Sequence, residues 1–139
     1  MLFLGEAMMK RKKLTKAQRL RVYNMYGGCC AYCGRPIRYE DMQVDHVVPL
    51  HNGGADNESN YFPACRMCNY YKSTFTLDKF RAELRKLQER LRKDFTYRLA
   101  LRYGLIRETK NEVTFYFEQK QDREADFAVG LIKKKIENG

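Results

Sequence analysis

The chain has 139 residues, five Cys, two His and no Trp, with 27 Lys plus Arg against 17 Asp plus Glu for a formal charge of +10. That length suits one compact domain or one domain with an arm, and no run of 18 apolar residues is present to cross a membrane. An odd and small Cys count excludes a disulfide-dense scaffold, and 18 Phe plus Tyr exclude a wholly disordered chain.

In chain order, residues 1–14 read as a basic arm containing Lys10-Arg11-Lys12-Lys13. The apolar run Met1–Leu4 precedes the basic run, the reverse of a signal peptide, so an intracellular, cytoplasmic and reducing setting is expected. Residues 15–26 read as a helix capped by Thr15, with Leu20, Val22, Tyr23 and Tyr26 on an apolar face and Gly27-Gly28 as its stop. Cys30-Ala31-Tyr32-Cys33-Gly34 is a tight knuckle. Residues 37–39 suggest a short strand, and 44–50 a strand that Pro49 ends. Residues 51–57 form a glycine-bearing loop, and 60–63 a second extended segment. Cys65-Arg66-Met67-Cys68 leads into a helix through Lys72. From Thr76, the spacing of Leu77, Phe80, Leu84, Leu87, Leu91, Phe95, Leu99 and Tyr103 predicts one long basic amphipathic helix over 76–103. The alternation of Val113, Phe115 and Phe117 predicts a strand over 112–118, and residues 122–136 a short terminal helix.

Charge is unevenly placed. Residues 1–38 carry a net +8, 39–78 a net −4, 79–110 a net +7 and 111–139 a net −1. An acidic centre between basic flanks suits a divalent cation held in the middle and a polyanion gripped from the sides. The basic face of the 76–103 helix reads first as solvated surface over a packed apolar face, secondarily as a track for DNA phosphates, with near-heptad spacing also allowing a homodimer.

All five Cys, at 29, 30, 33, 65 and 68, and both His, at 46 and 51, fall in the central stretch. Two C-x-x-C pairs, Cys30/Cys33 and Cys65/Cys68, suit a tetrahedral structural zinc with Zn–S near ~2.3 Å. The competing reading is buried thiols or one redox pair. Cys29 offers a less favoured C-x₃-C register. Because few apolar residues stand between 27 and 69, the middle is expected to depend on metal rather than on a core of its own.

Between the Cys pairs stand Asp45-His46, then Asn60, then Asn69 and Lys72. Each alone is weak; together they form a constellation. CAYCG, VDHVVPL, GGADNESN, PACRMCN and YK resemble the HNH endonuclease family, in its four-cysteine subgroup, over residues 27–75 or so. Asn69 stands where the family name has a final His, so this is an H-N-N variant.

The resemblance implies an α+β chain with a small ββα-metal core over 15–75, followed by an extension over 76–139 packed on or beside it. It implies His46 as the general base for water, since a neutral imidazole accepts a proton at physiological pH. Asp45 and Asn69 would hold a catalytic Mg²⁺ or Mn²⁺, their hard oxygens suiting those ions. Asn60 would hold the loop and orient His46. Lys72, Arg66, Lys12 and Lys13 would contact nucleic acid, and His51 would be a loop residue or at most a phosphate contact. The expected activity is DNA phosphodiester hydrolysis leaving 5′-phosphate and 3′-hydroxyl ends, in a phage or bacterial setting. A noncatalytic zinc-stabilised nucleic-acid-binding module and a protein-interaction module are the rivals. Neighbours in a regular strand point to opposite faces, so Asp45 and His46 can serve one phosphate only if the strand ends or twists there.

Overall fold

The computed structural model describes residues 13–121 together with 124, 137 and 138. The predicted terminal helix over 122–136, Glu124 apart, and most of the basic arm, Lys12 included, lie outside the described residues.

Helix α1 (Lys16–Asn24) starts where the sequence places a cap. The Thr15 hydroxyl accepts from the Gln18 N–H at 3.1 Å and the Gln18 side chain accepts from the Thr15 N–H at 2.9 Å, a reciprocal box that satisfies two orphan donors. Gly27 and Gly28, at φ +62° and +79°, turn the chain out of it. Of the expected apolar face, only Val22 is buried outright and Leu20 is exposed.

The knuckle that follows is closed by backbone bonds from Cys30 N–H to the Arg35 carbonyl and from Gly34 N–H to the Cys30 carbonyl. No strand forms over 37–39. Cys29 makes an isolated bridge to Pro36 and residues 39–41 form a 3₁₀ turn, because Pro36 restricts pairing to one bridge.

Strand β1 (Gln43–His46) pairs antiparallel with β2 (Tyr61–Ala64), in the register Val44–Pro63, Asp45–Phe62, His46–Tyr61. β1 is shorter than the predicted 44–50 strand. After the Val47 N–H bonds to the Asn60 carbonyl, pairing stops, Pro49 lacks a donor, and residues 50–52 turn as a 3₁₀ segment closed by Gly53 at φ +84°. Helix α2 (Arg66–Lys72) starts at Cys65, whose Sγ accepts from the Cys68 N–H. Two antiparallel strands followed by this helix make the expected ββα unit.

The single helix predicted over 76–103 is instead three: α3 (Leu77–Arg85), α4 (Leu87–Leu91) and α5 (Phe95–Arg102). Lys86 ends one and starts the next at ψ −4°, and Asp94 leaves helical geometry to cap α5, accepting from the Tyr97 N–H at 2.8 Å. Apolar residues three apart (Leu84, Leu87) and four apart (Leu91, Phe95) continue across the two breaks, which is why their spacing hid the caps. A continuous heptad seam for a homodimer is thereby absent.

The strand predicted over 112–118 is also not formed. Residues 111–115 are irregular and 116–121 are helical. Glu118 reaches back to the Phe115 N–H, half of a capping box. The helix's leading donors, on Tyr116 and Phe117, bond the knuckle carbonyls of Tyr32 and Ala31 at 3.0 and 2.9 Å.

The core centres on Tyr32. Its ring meets Phe62, Phe80, Phe115 and Phe117 edge-on at centroid distances of 5.5–6.4 Å. Such contacts add to burial by matching ring edges to faces. Contrary to the sequence expectation, the metal-bearing middle contributes most of the buried apolar set: Cys30, Ala31, Tyr32, Ile37, Met42, Val44, Tyr61 and Ala64. Individual apolar residues there are sparse, but β pairing and the knuckle bring them onto one side, where Phe80, Phe115 and Phe117 complete them.

Candidate active site and metal centre

The ligand atoms of Cys30, Cys33, Cys65 and Cys68 all lie within 4.8 Å of one another, and Cys29 is outside the group. Cys33 Sγ and Cys65 Sγ are 3.8 Å apart, close to the ~3.8 Å edge of a tetrahedron with Zn–S near ~2.3 Å. The clustered thiols also shift one another's acidity. The Cys30 thiol is drawn down to about 5, mainly because the Cys68 thiol donates to it. Cys33 is pushed up to about 11 by burial, and Cys68 is pushed up by that same donation. Four thiolates this close repel one another, and a dication among them would offset that repulsion. The cluster can hold a metal such as zinc.

A cavity of about 290 Å³ opens where β1 ends, bordered by Asp45, His46, His51, Asn69, Ser73 and Thr74 among others. The structure therefore brings three predicted residues, Asp45, His46 and Asn69, to one space, although Asp45 and His46 are strand neighbours. β1 ends at His46, its last paired position, so the regular alternation of side chains is not continued beyond it, and both residues line the cavity.

His46 Nε2 lies 2.8 Å from Asp56 Oδ1. The same oxygen accepts from the Tyr61 hydroxyl at 2.6 Å, and the Tyr61 ring meets the imidazole edge-on at 5.1 Å. A carboxylate only accepts, so it holds the proton on Nε2 and leaves Nδ1 with its lone pair. Sequence reasoning missed Asp56. The available signal was a carboxylate in the glycine-bearing loop after His46, indistinguishable there from a turn residue.

The Asn60 side chain hydrogen-bonds to backbone rather than to His46. Its Oδ1 accepts from the Val48 N–H at 2.9 Å, and its Nδ2 donates to the Val48 and Ala55 carbonyls at 2.8 and 2.9 Å. The side chain thus extends the β ladder by one rung and pins both ends of the loop that delivers Asp56. Gly54 permits this approach, since a Cβ there would stand 1.8 Å from the Val48 oxygen.

Asp45 is buried. Its Oδ2 accepts from the Tyr32 hydroxyl at 2.5 Å and pairs with Lys72 Nζ at 3.0 Å. Burial first, and then the Asp45 charge, push the Tyr32 phenol far above its ordinary value, so it remains a donor. Lys72 is fully buried and also donates to the His46 carbonyl at 3.0 Å. This corrects its expected role: an ammonium sealed beside Asp45 cannot reach a phosphate, and it instead ties α2 to the end of β1. Arg66 and Lys13 are exposed, and His51 lies exposed on the cavity rim.

Asp45 and Asn69 both line the cavity, and a carboxylate with an amide is a hard-oxygen donor pair of the type that suits Mg²⁺ or Mn²⁺. Ser73, at φ +46°, is the one described non-glycine residue with a positive φ. With the Phe75 N–H bonded to the Lys72 carbonyl, it forms a tight turn that carries Ser73 and Thr74 to the cavity wall.

Residues 30–75 match the family model described as HNH endonuclease, which bears out the resemblance over that segment. Two curated relatives are each a CRISPR-associated endonuclease Cas9. That of Actinomyces naeslundii is 39% identical over 56 residues, 40% of this chain and 5% of the relative. That of Corynebacterium diphtheriae is 41% identical over 44 residues, 31% of this chain and 4% of the relative. The crystal structure of the Type II-C Cas9 enzyme from Actinomyces naeslundii aligns at 28% identity with a TM-score of 0.46, covering 54% of this chain and 8% of that one. The chain thus spans about one-twentieth of the length of these curated relatives.

Proposed function

We propose that this chain, whose residues 30–75 match the HNH endonuclease family, is a metal-dependent nuclease that hydrolyses DNA phosphodiester bonds, with residues 15–75 as its catalytic unit. The observation that carries the reading is the His46–Asp56 pair at a cavity shared with Asp45 and Asn69. A binding module has no use for an imidazole whose tautomer is fixed by a half-buried carboxylate.

In the reaction, Nδ1 of His46 accepts the proton of the attacking water, and Asp56 stabilises the imidazolium that forms. Asn60 keeps the loop in place so that Asp56 stays aligned. Asp45, with Tyr32 and Lys72 fixing one of its oxygens, and Asn69 would hold the divalent cation. When bound, that cation supplies stabilisation of the charge that develops on the phosphoryl and leaving oxygens. Lys72 holds the Asp45 side chain in place without contacting substrate. Zinc at the four cysteines would anchor the start of α2, and with it Asn69, relative to β1.

The test is cleavage of supercoiled plasmid with Mg²⁺ or Mn²⁺ varied, beside His46→Ala. The native chain should nick or linearise DNA only with a divalent cation, and His46→Ala should bind DNA but not cut it. Full cleavage by His46→Ala would remove His46 as the base, and no cleavage by the native chain under any metal would overturn the nuclease reading.

A further inference from the structure

The described arginines of α3, α4 and α5 and their flanks up to residue 102 fall into two groups. On α3, α4 and just after, each arginine is held by a carboxylate: Arg81 by Glu118, Arg85 by Glu112, Arg90 by Glu83 and Arg92 by Glu108. Lys79 and Lys86 share Glu83. These charges are internally neutralised and fasten helices to one another. On α5 the pattern stops. Arg98 and Arg102 are exposed, and their guanidinium groups form no ion pair or hydrogen bond with the described residues.

They alternate with exposed apolar groups. Phe95, Arg98, Leu99 and Arg102 stand at i, i+3, i+4 and i+7 and line one cleft of about 210 Å³. Phe95 is 69% exposed and Leu99 41%. The other side of α5 is engaged: Tyr97 bonds Glu108 and Leu101 is half-buried. So the exposed stripe is not a misplaced core face, since the helix already has its packing side. Two unneutralised guanidinium groups beside an uncovered aromatic ring match a ligand that brings anions and flat π-faces together at short repeat.

We infer that this stripe is a binding subsite for single-stranded nucleic acid, in which an unstacked base lies on Phe95 and Leu99 while its neighbouring phosphates meet Arg98 and Arg102. Duplex DNA does not fit as well, because its bases are stacked away and its backbone offers nothing for Phe95. The choice of nucleic acid over an anionic membrane rests on the nuclease reading of the same chain. The subsite grips a strand and takes no part in the chemistry.

The experiment measures the affinity of the full chain for a dye-labelled single-stranded oligothymidine and for a duplex of equal length, with zinc retained and no Mg²⁺ or Mn²⁺ added. Phe95→Ala should weaken single-strand binding about 5- to 100-fold and change duplex binding far less, while Phe95→Trp should keep it. Replacing Arg98 and Arg102 by Gln should reduce the magnitude of the single-strand salt slope by about 1.4, or ~0.7 for each lost phosphate contact. Because Phe95 is exposed, these variants should melt like the native chain, which separates a lost contact from a lost fold.

Single-strand affinity unchanged by Phe95→Ala overturns the inference, as does an equal loss on duplex. So does a finding that Phe95→Ala abolishes self-association or binding to phosphatidylglycerol vesicles while leaving single-strand affinity intact. Failure of the nuclease reading is recognised separately, as absence of cleavage by a chain whose single-strand binding still depends on Phe95.

Discussion

Replacing Lys72 by Met tests the electrostatics of the site most directly. The side chain is fully buried, its Nζ 3.0 Å from Asp45 Oδ2 and 3.0 Å from the His46 carbonyl. Met fills similar space but removes the cation, so Asp45, itself only 5% exposed, keeps a buried negative charge with Tyr32 as its remaining donor. Breaking a buried pair from one side costs about 3–5 kcal/mol, and the surviving Tyr32 bond places this case near the lower end, at about 3 kcal/mol. With a urea m-value of about 1.5 kcal/mol/M, the unfolding midpoint should fall by about 2 M. The assay is urea denaturation followed by circular dichroism at fixed zinc concentration, for Lys72→Met, Asp45→Asn and the double variant. The double variant should recover part of the loss, because no charge is left stranded, giving a coupling of at least about 1 kcal/mol. If Lys72→Met is as stable as the native chain but binds DNA more weakly, the buried-pair account fails and Lys72 is a phosphate contact after all.

Other perturbations probe the neighbouring parts. Asp56→Asn keeps the hydrogen-bond shape but removes the charge behind His46, so metal-dependent nicking should slow about 10-fold or more, within the range general acid–base catalysis contributes, while DNA affinity measured by anisotropy stays level. Gly54→Ala places a methyl 1.8 Å from the Val48 oxygen; thermal melts should show a loss of about 1–3 kcal/mol together with slower cleavage, and a variant equal to the native chain in both would mean that the loop does not position Asp56. Glu83 is held down to about 2, first by its hydrogen bond from Lys79 and then by that from Arg90. A depressed carboxyl stabilises the fold above its ordinary value of 4.5 and loses that contribution as pH falls toward 2. The stability gap between the native chain and Glu83→Gln should therefore narrow from pH ~5 downward, and a gap independent of pH would contradict the ion-pair role.

The sequence disclosed what is encoded by spacing. Two C-x-x-C pairs place four sulfurs together, and Thr15 with Gln18 makes its capping box, because both depend on residues three apart. Asp45, His46 and Asn69 reach one cavity because the ββα order itself delivers them. What stayed hidden depends on the third dimension. Nothing in the spacing of Leu77 to Tyr103 shows that Lys86 and Asp94 interrupt the helix, since apolar residues three or four apart span a break as easily as a turn. Phe115 and Phe117 alternate as a strand would, yet Glu118 and the knuckle carbonyls make the chain coil between them. Lys72 looked like a surface cation because burial of an ammonium becomes visible only once Asp45 is found beneath it. Asp56 gave no periodic signal, for its partner is made by a loop that Asn60 closes from a distance.

The bonds from Tyr116 and Phe117 to the carbonyls of Tyr32 and Ala31 bear on where this protein can be cut. The family match ends at residue 75, which invites excising that segment as a portable cutting cassette. Doing so would strip the knuckle of two backbone donors and uncover the faces that Phe80, Phe115 and Phe117 now shield. The unit of inheritance and the unit of folding are then different lengths, and a graft intended to carry the chemistry elsewhere must extend at least to the turn of helix that begins at Tyr116.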